Sequence, residues 1–228
     1  MNRKCLVLYV SVVVAMLAFS GCTRKFTVIP QLNSLDFSVG KPYGAAAYVS
    51  MVDARDAIDK TGKQESICTG GKAGVMHLGD KNYRDTLIAE FDSTMKRSII
   101  NSRLFSPVAD AKQASDSGYS FVSTLDKFHV TLDEGKAQQT QACIGGIIGA
   151  AIASSIDVTA TTDVLVTGKL IKDKKEIWLH SISKQIIQRD IYAKTEKNAE
   201  NSMGIAIGES CKELITEMAK FLSTQPMQ

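Results

Sequence analysis

Residues 157–171, DVTATTDVLVTGKLI, alternate without a break. Val158, Ala160, Thr162, Val164, Val166 and Gly168 share one parity, and Thr159, Thr161, Asp163, Leu165, Thr167 and Lys169 share the other. A period of two sends neighbouring side chains to opposite faces of a strand. The charged turn Lys172-Asp173-Lys174-Lys175 follows, and Ile177, Leu179 and Ile182 carry a return strand to about Tyr192. The stretch is therefore expected to be a β-hairpin. Trp178 lies on the opposite parity to Ile177 and Leu179.

Downstream of the hairpin, Met203, Ile207, Cys211, Leu214, Met218 and Leu222 recur at three and four residues. That spacing predicts a long amphipathic helix from about Glu196, weakened locally by Gly204 and Gly208. Upstream, residues 119–132 read as a strand whose buried parity changes midway, which predicts a bend or bulge. Leu87, Phe91 and Met95, with Ile88 and Ile99 beside them, predict a helix over about 80–101 that Asp80 or Asn82 would cap. A short strand is expected at Leu104-Phe105, cut off by Pro107. The apolar run at 45–55 predicts a buried strand ending in a polar turn, and 75–78 a short strand inside a glycine-rich loop. The sequence thus predicts an α+β fold, a mainly antiparallel sheet with two amphipathic helices packed on one face, forming a single domain over 45–222.

The chain opens with Arg3 and Lys4, an apolar run over 6–19, and the small residues Ser20 and Gly21 before Cys22. This is the three-part grammar of a secretory signal peptide, 1–21. The run is shorter than the roughly 20 residues a membrane-spanning helix needs. Residues 22–44 hold Pro30, Gly40, Pro42 and Gly44 among polar residues and read as an extended arm.

The chain carries 27 Lys and Arg against 24 Asp and Glu, and two of the basic residues belong to the leader. A balance this near neutral gives no electrostatic footprint for nucleic acid. Cys68, Cys143 and Cys211 are widely separated and form no C-x-x-C. One disulfide with one thiol left over fits an oxidising compartment, whereas zinc or redox sites need closer spacing. Cys211 falls on the apolar stripe of the last helix and reads as core.

No catalytic motif stands out, and the expectation is a non-enzyme without cofactor or metal. His77, His129 and His180 are far apart in sequence and read as isolated sheet residues. The stretch Gly70-Gly71-Lys72-Ala73-Gly74 has the look of a phosphate cradle but lacks the G-K-[ST] ending, and reads as a mobile loop. Asp53 and Arg55 project to the same side of a strand end. They read as a structural ion pair fixing the turn, with a ligand-binding pair as the other possibility.

The most unusual stretch is 142–153, ACIGGIIGAAIA, twelve residues without a charge. It is too short to span a bilayer. It is either a tip that dips into lipid or contacts another subunit, or a flexible hairpin loop tucked against the sheet.

Three resemblances follow from these residues. Leu17-Ala18-Phe19-Ser20-Gly21-Cys22 resembles the lipobox of bacterial lipoproteins. That resemblance implies a diacylglycerol on the Cys22 sulfur and a further acyl chain, such as palmitate, on its amino group. Thr23 in place of Asp resembles the pattern of outer-membrane delivery, which implies a lipid-anchored cell-envelope protein, periplasm-facing or surface-exposed. The order of elements, with its strand running into Val52-Asp53-Ala54-Arg55, resembles YajG-type lipoproteins. The apolar segment followed by Thr162-Asp163-Val164 resembles TraT-type outer-membrane lipoproteins, which implies envelope-protein contacts or self-association.

Overall fold

The computed structural model of the chain describes residues 24–32, 34–35, 37, 39–64, 74–110, 118–144 and 146–225. Within them the fold is α+β. One seven-stranded sheet comprises β1 (Ala46–Asp53), β2 (Lys63–Gln64), β3 (Val75–Leu78), β4 (Val108–Asp110), β5 (Tyr119–Asp133), β6 (Asp157–Lys172) and β7 (Lys175–Ile191). The helices are α1 (Ala57–Thr61), α2 (Leu87–Ser102), α3 (Gly135–Ile144), α4 (Gly146–Ala153) and α5 (Thr195–Ser223), with 3-10 turns at Asp80–Asn82 and Tyr192–Lys194. The chain therefore carries more helix than the two amphipathic helices expected, and the largest addition, α3–α4, contains the uncharged Gly/Ala segment 142–153.

The expected hairpin is the backbone of the sheet. β6 pairs antiparallel with β7 from Asp157↔Ile191 to Lys172↔Lys175, and with β5 along its other side. The sheet is mostly antiparallel, but β1 runs parallel to both β4 and β5, because α2 carries the chain across between β1 and β4. β5 shifts register between Leu125 and Lys127. This bulge moves the buried parity from Phe121 and Leu125 to Phe128, Val130 and Leu132.

One face of the sheet is covered. The inward side chains of β5 and β6 meet Phe91, Met95 and Ile99 of α2 and Met203, Ile207, Cys211 and Leu214 of α5 in a single core. A buried hydrogen bond between Thr162 and Ser202, 2.7 Å, joins β6 to α5 without leaving either hydroxyl unpaired.

Two local expectations are corrected. Residues 80–86 do not begin the helix. Asn82 turns back to accept from the Gly79 N–H at 3.0 Å, and Tyr83 pairs with Phe26, so these backbone groups are already committed and α2 starts after Thr86. Leu104 and Phe105 are buried in a turn, not a strand. The Leu104 carbonyl accepts from Tyr43 N–H, and the strand starts only beyond Pro107, which has no N–H to give. Residues 26–31, at the start of the expected extended arm, are docked on the body. Phe26 and Val28 are buried in the main core, and the Gln31 N–H donates to the Gly204 carbonyl at 3.0 Å.

Candidate functional site

Two places concentrate unusual chemistry, and both follow from how β5 is paired. On the edge away from β6, β5 is partnered by β1 as far as Leu125 and by β3 from Val130 onward. Between them the β5 backbone lacks a strand neighbour. α1 fills the gap. Asp56 caps it by accepting from the Asp59 N–H at 3.1 Å. That start places the buried Asp59 carboxylate where it accepts from the Phe128 N–H at 3.3 Å and meets His129 Nδ1 at 2.7 Å.

The seam continues outward. His129 Nε2 lies 3.0 Å from His77 Nδ1, which also lies 3.2 Å from the Thr131 hydroxyl. In the bond between His129 Nε2 and His77 Nδ1, whichever ring nitrogen carries the proton is the donor. The reading of the histidines as isolated is thus corrected for His77 and His129. The strand pairing His77↔Thr131 puts His77 diagonally beside His129 on the same face. Sequence reasoning missed this because it depends on β3 pairing with β5, and because the acid comes from a helix 70 residues away. His180 takes no part and stacks on Trp178. The inner nitrogen of His129 faces Asp59 and the outer one faces His77. The residues therefore make an ordered polar seam in the gap between β1 and β3.

Asp53 and Arg55 close the neighbouring end of the same gap. Arg55 is buried and forks onto Asp53, with Nε and Nη2 each 2.9 Å from a carboxylate oxygen, while Nη1 reaches Asp80 at 3.0 Å. This is the geometry of an ion pair tying the end of β1 to the turn after β3. Burial works against the Asp53 carboxylate, but hydrogen bonds and charge from Arg55 outweigh it and hold it below the ordinary carboxylate value. Burial likewise opposes the Arg55 charge, and the two aspartates more than restore it.

The second place is the end of the sheet where β5 stops and β6 starts. Here α3 and α4 form a helical hairpin between the two strands. Its roots are fixed from both legs. The Glu134 N–H donates to the Gly74 carbonyl at 2.8 Å, and the Tyr192 and Ala193 N–H groups donate to the Ile156 and Ser154 carbonyls. Ala137, Ala153 and Val158 form a small apolar cluster there, separate from the main core. Arg24 sits at this base. It pairs with the buried Glu134 and reaches the Tyr192 hydroxyl at 3.4 Å, its guanidinium lying 5.9 Å from the ring centre.

Beyond the base the hairpin is uncovered. Ile147 is 89% exposed and Ile148 69%, with Ile144 and Ile152 also open. Residues 137–156 carry no charged side chain. The expectation of a flexible loop tucked against the sheet is corrected: the segment is two helices held together by contact of Gly149 with Gln141 and Ile144.

The remaining sequence candidates fall elsewhere. Cys22 and Cys68 lie outside the described residues, as do 70–73 of the glycine-rich loop. Cys211 is a free thiol sealed in the core, where burial pushes its pKa upward. A groove of about 440 Å³ runs at the far end of α5, lined by Phe37, Val39, Leu104 and Ala219 with Lys41 and Lys220 at its rim. Among the described residues no group of His, Cys, Asp and Glu could hold a metal ion, and no helix is long and apolar enough to cross a membrane.

No family model and no curated protein matches the chain. Solved structures do. A Xanthomonas campestris protein of the DUF330 family aligns over 86% of this chain and 96% of its own, at 11% identity and a TM-score of 0.50. A candidate lipoprotein from Caulobacter crescentus covers 61% of this chain and 85% of its own at 11% identity and a TM-score of 0.32. A homolog of a neuraminyllactose-binding hemagglutinin from Helicobacter pylori covers 86% and 93% at 9% identity and 0.41. At such identities a likeness speaks for fold alone, and of these three the DUF330 protein is the one near enough to do so. The chain is thus similar in architecture to the Xanthomonas campestris protein of the DUF330 family.

Proposed function

We propose that the chain is a non-enzymatic lipoprotein of the bacterial outer membrane, acylated on Cys22, that serves as an accessory or assembly factor by contacting envelope proteins or its own copies. The observation that supports this best is the fixing of Arg24 to Glu134 and Tyr192. It leaves a single residue, Thr23, between the folded body and Cys22. A lipid on that cysteine would hold the domain directly against the bilayer, with no slack linker. Two or more acyl chains make such attachment effectively stable, so the fold itself is free to present surface to partners.

The surface for protein contact is the outer edge of β7 and the uncovered face beside it. β7 is a 17-residue edge strand on which Leu179 and Ile187 are exposed. Edge strands offer unpaired backbone groups to an added strand. Lys175 and Lys184 along it discourage indiscriminate pairing. The test is twofold. Mass spectrometry of the mature N-terminus should find a triacylated Cys22, and a Cys22→Ala chain should leave the membrane fraction. Crosslinking from β7 in intact cells should then yield discrete products that disappear with Cys22→Ala. An intact leader or an unmodified thiol would defeat the proposal.

A second reading, a binding module for a small envelope ligand such as lipid or glycan, draws on the groove at the far end of α5, whose volume lies in the range of small-molecule sites. Native mass spectrometry of the purified chain would show a retained ligand if that reading held.

A further inference from the structure

We infer that the α3–α4 hairpin is itself a membrane contact, dipping its isoleucine tip into the leaflet that receives the Cys22 lipid; this rests on the proposed acylation of Cys22. The argument is one of placement. Arg24 sits at the hairpin base: it pairs with Glu134 just before α3 and reaches the hydroxyl of Tyr192, a residue after β7 whose own N–H donates to Ile156 just after α4. Cys22 stands two residues before Arg24 in the sequence, a stretch of chain that can reach at most about 7 Å. From the same base, α3 has ten residues and extends roughly 15 Å. An anchor on Cys22 and the apolar tip would therefore leave the body at one pole.

The chemistry of the tip suits lipid. Ile144, Ile147, Ile148 and Ile152 are exposed around it, and the nearest charged side chains are Lys136 at the start of α3 and Asp157 beyond α4. α4 has eight residues, too few to cross a bilayer but enough to enter the boundary between headgroups and acyl chains. A helical hairpin also satisfies its own backbone hydrogen bonds, which an apolar loop entering lipid would leave open. A second copy of the chain is the competing occupant. The single-pole geometry favours the bilayer, since a domain anchored through Cys22 brings this tip to lipid before any partner can cover it.

The test uses the full lipidated chain, with a photoreactive benzoylphenylalanine replacing Ile148, in vesicles of phosphatidylethanolamine and phosphatidylglycerol. A matched chain carries the same group at Ile187 on β7, which is also exposed. Illumination should give phospholipid adducts at position 148, about tenfold or more above those at 187, because a residue held at the acyl boundary meets lipid continuously. Adducts at 148 confined to a second copy of the chain, or equal lipid yields at the two positions, would overturn the inference. The mass of the mature N-terminus separates the two ideas. An acylated Cys22 with position 148 silent toward lipid removes the tip and keeps the anchor. An unmodified Cys22 with the adduct pattern retained removes the anchor and keeps the tip.

Discussion

On α5, Gly204 and Gly208 lie beneath the N-terminal arm; on the α3–α4 hairpin, Gly149 lies beneath Gln141 and Ile144 while the isoleucines beside it face outward. Both segments space glycine by about one helical turn among apolar residues, and their compositions are alike. The fold uses them oppositely. A Cβ on Gly204 would overlap the Ile29 carbonyl oxygen and one on Gly208 that of Gln31, so the two glycines form a groove the arm fills completely. A Cβ on Gly149 would sit 3.2 Å from the Gln141 carbonyl oxygen, a tight but adjustable contact within the hairpin. Apolar surface built around small residues is thus satisfied inside the body in one case. In the other it is left at the surface, at the pole where the chain leads back to Cys22.

The sharpest way to break this comparison is Gly208→Leu. Backbone cannot yield as a flexible side chain does, so the arm must lift, and Phe26 and Val28 lose their burial. The expected cost is about 3 kcal/mol or more, read as a lowered urea midpoint, with new tryptic cleavage after Arg24 and Lys25. Gly149→Ala should cost at most about 1 kcal/mol, with the arm still protected. Equal losses for the two would mean that the arm is not seated as described.

Arg24→Ala tests the link between the two regions. It removes the partner of a Glu134 carboxylate that is almost fully buried, for an expected loss of about 2 kcal/mol. Glu134→Gln should cost less, because the amide tolerates burial without a countercharge. A loss larger for the amide than for Arg24→Ala would show that Arg24 does not hold the base.

How much of this was legible beforehand differs between elements for physical reasons. The β6–β7 hairpin and the α5 stripe follow from periodicity because each is long and buried on one side only. The bulge in β5 is legible as a change of parity. The extended course of the arm is legible too, but its seat on the body is not, because Pro30 and the polar residues around it mask Phe26 and Val28, and Gly204 and Gly208 read as weak points in a helix and not as its docking groove. The Asp59–His129–His77 seam could not be found, because it requires knowing that β3 and β1 share one edge of β5. The exposed tip was visible as composition, but whether it was loop or helix was not. Gly and Ala fix neither outcome without the contact of Gly149 on α3.

The Asp53 carboxylate gives a smaller effect, through pH. Its folded-state pKa lies below its unfolded value because Arg55 outweighs the burial that opposes it. Its stabilisation is therefore present above the ordinary carboxylate range, near pH 4, and is lost as pH falls through the depressed value. Asp53→Asn should flatten that part of the acid limb of an unfolding titration. An unchanged acid limb would show that the Asp53–Arg55 pair does not carry it.

The smallest expected effect is also the most discriminating. Ile147→Ser with Ile148→Ser replaces the two most exposed isoleucines of the tip, and neither is packed against the body. Surface changes of this kind leave stability within about 0.5 kcal/mol, so the urea midpoint in detergent-free solution should not move. If the midpoint fell, and fell more at higher protein concentration, the isoleucines would be covered by a second copy in solution. The contrast with the arm groove would then disappear, since both glycine segments would serve to bury protein against protein. If it held constant while contact with vesicles weakened, the tip would be apolar surface kept free of protein and reserved for lipid.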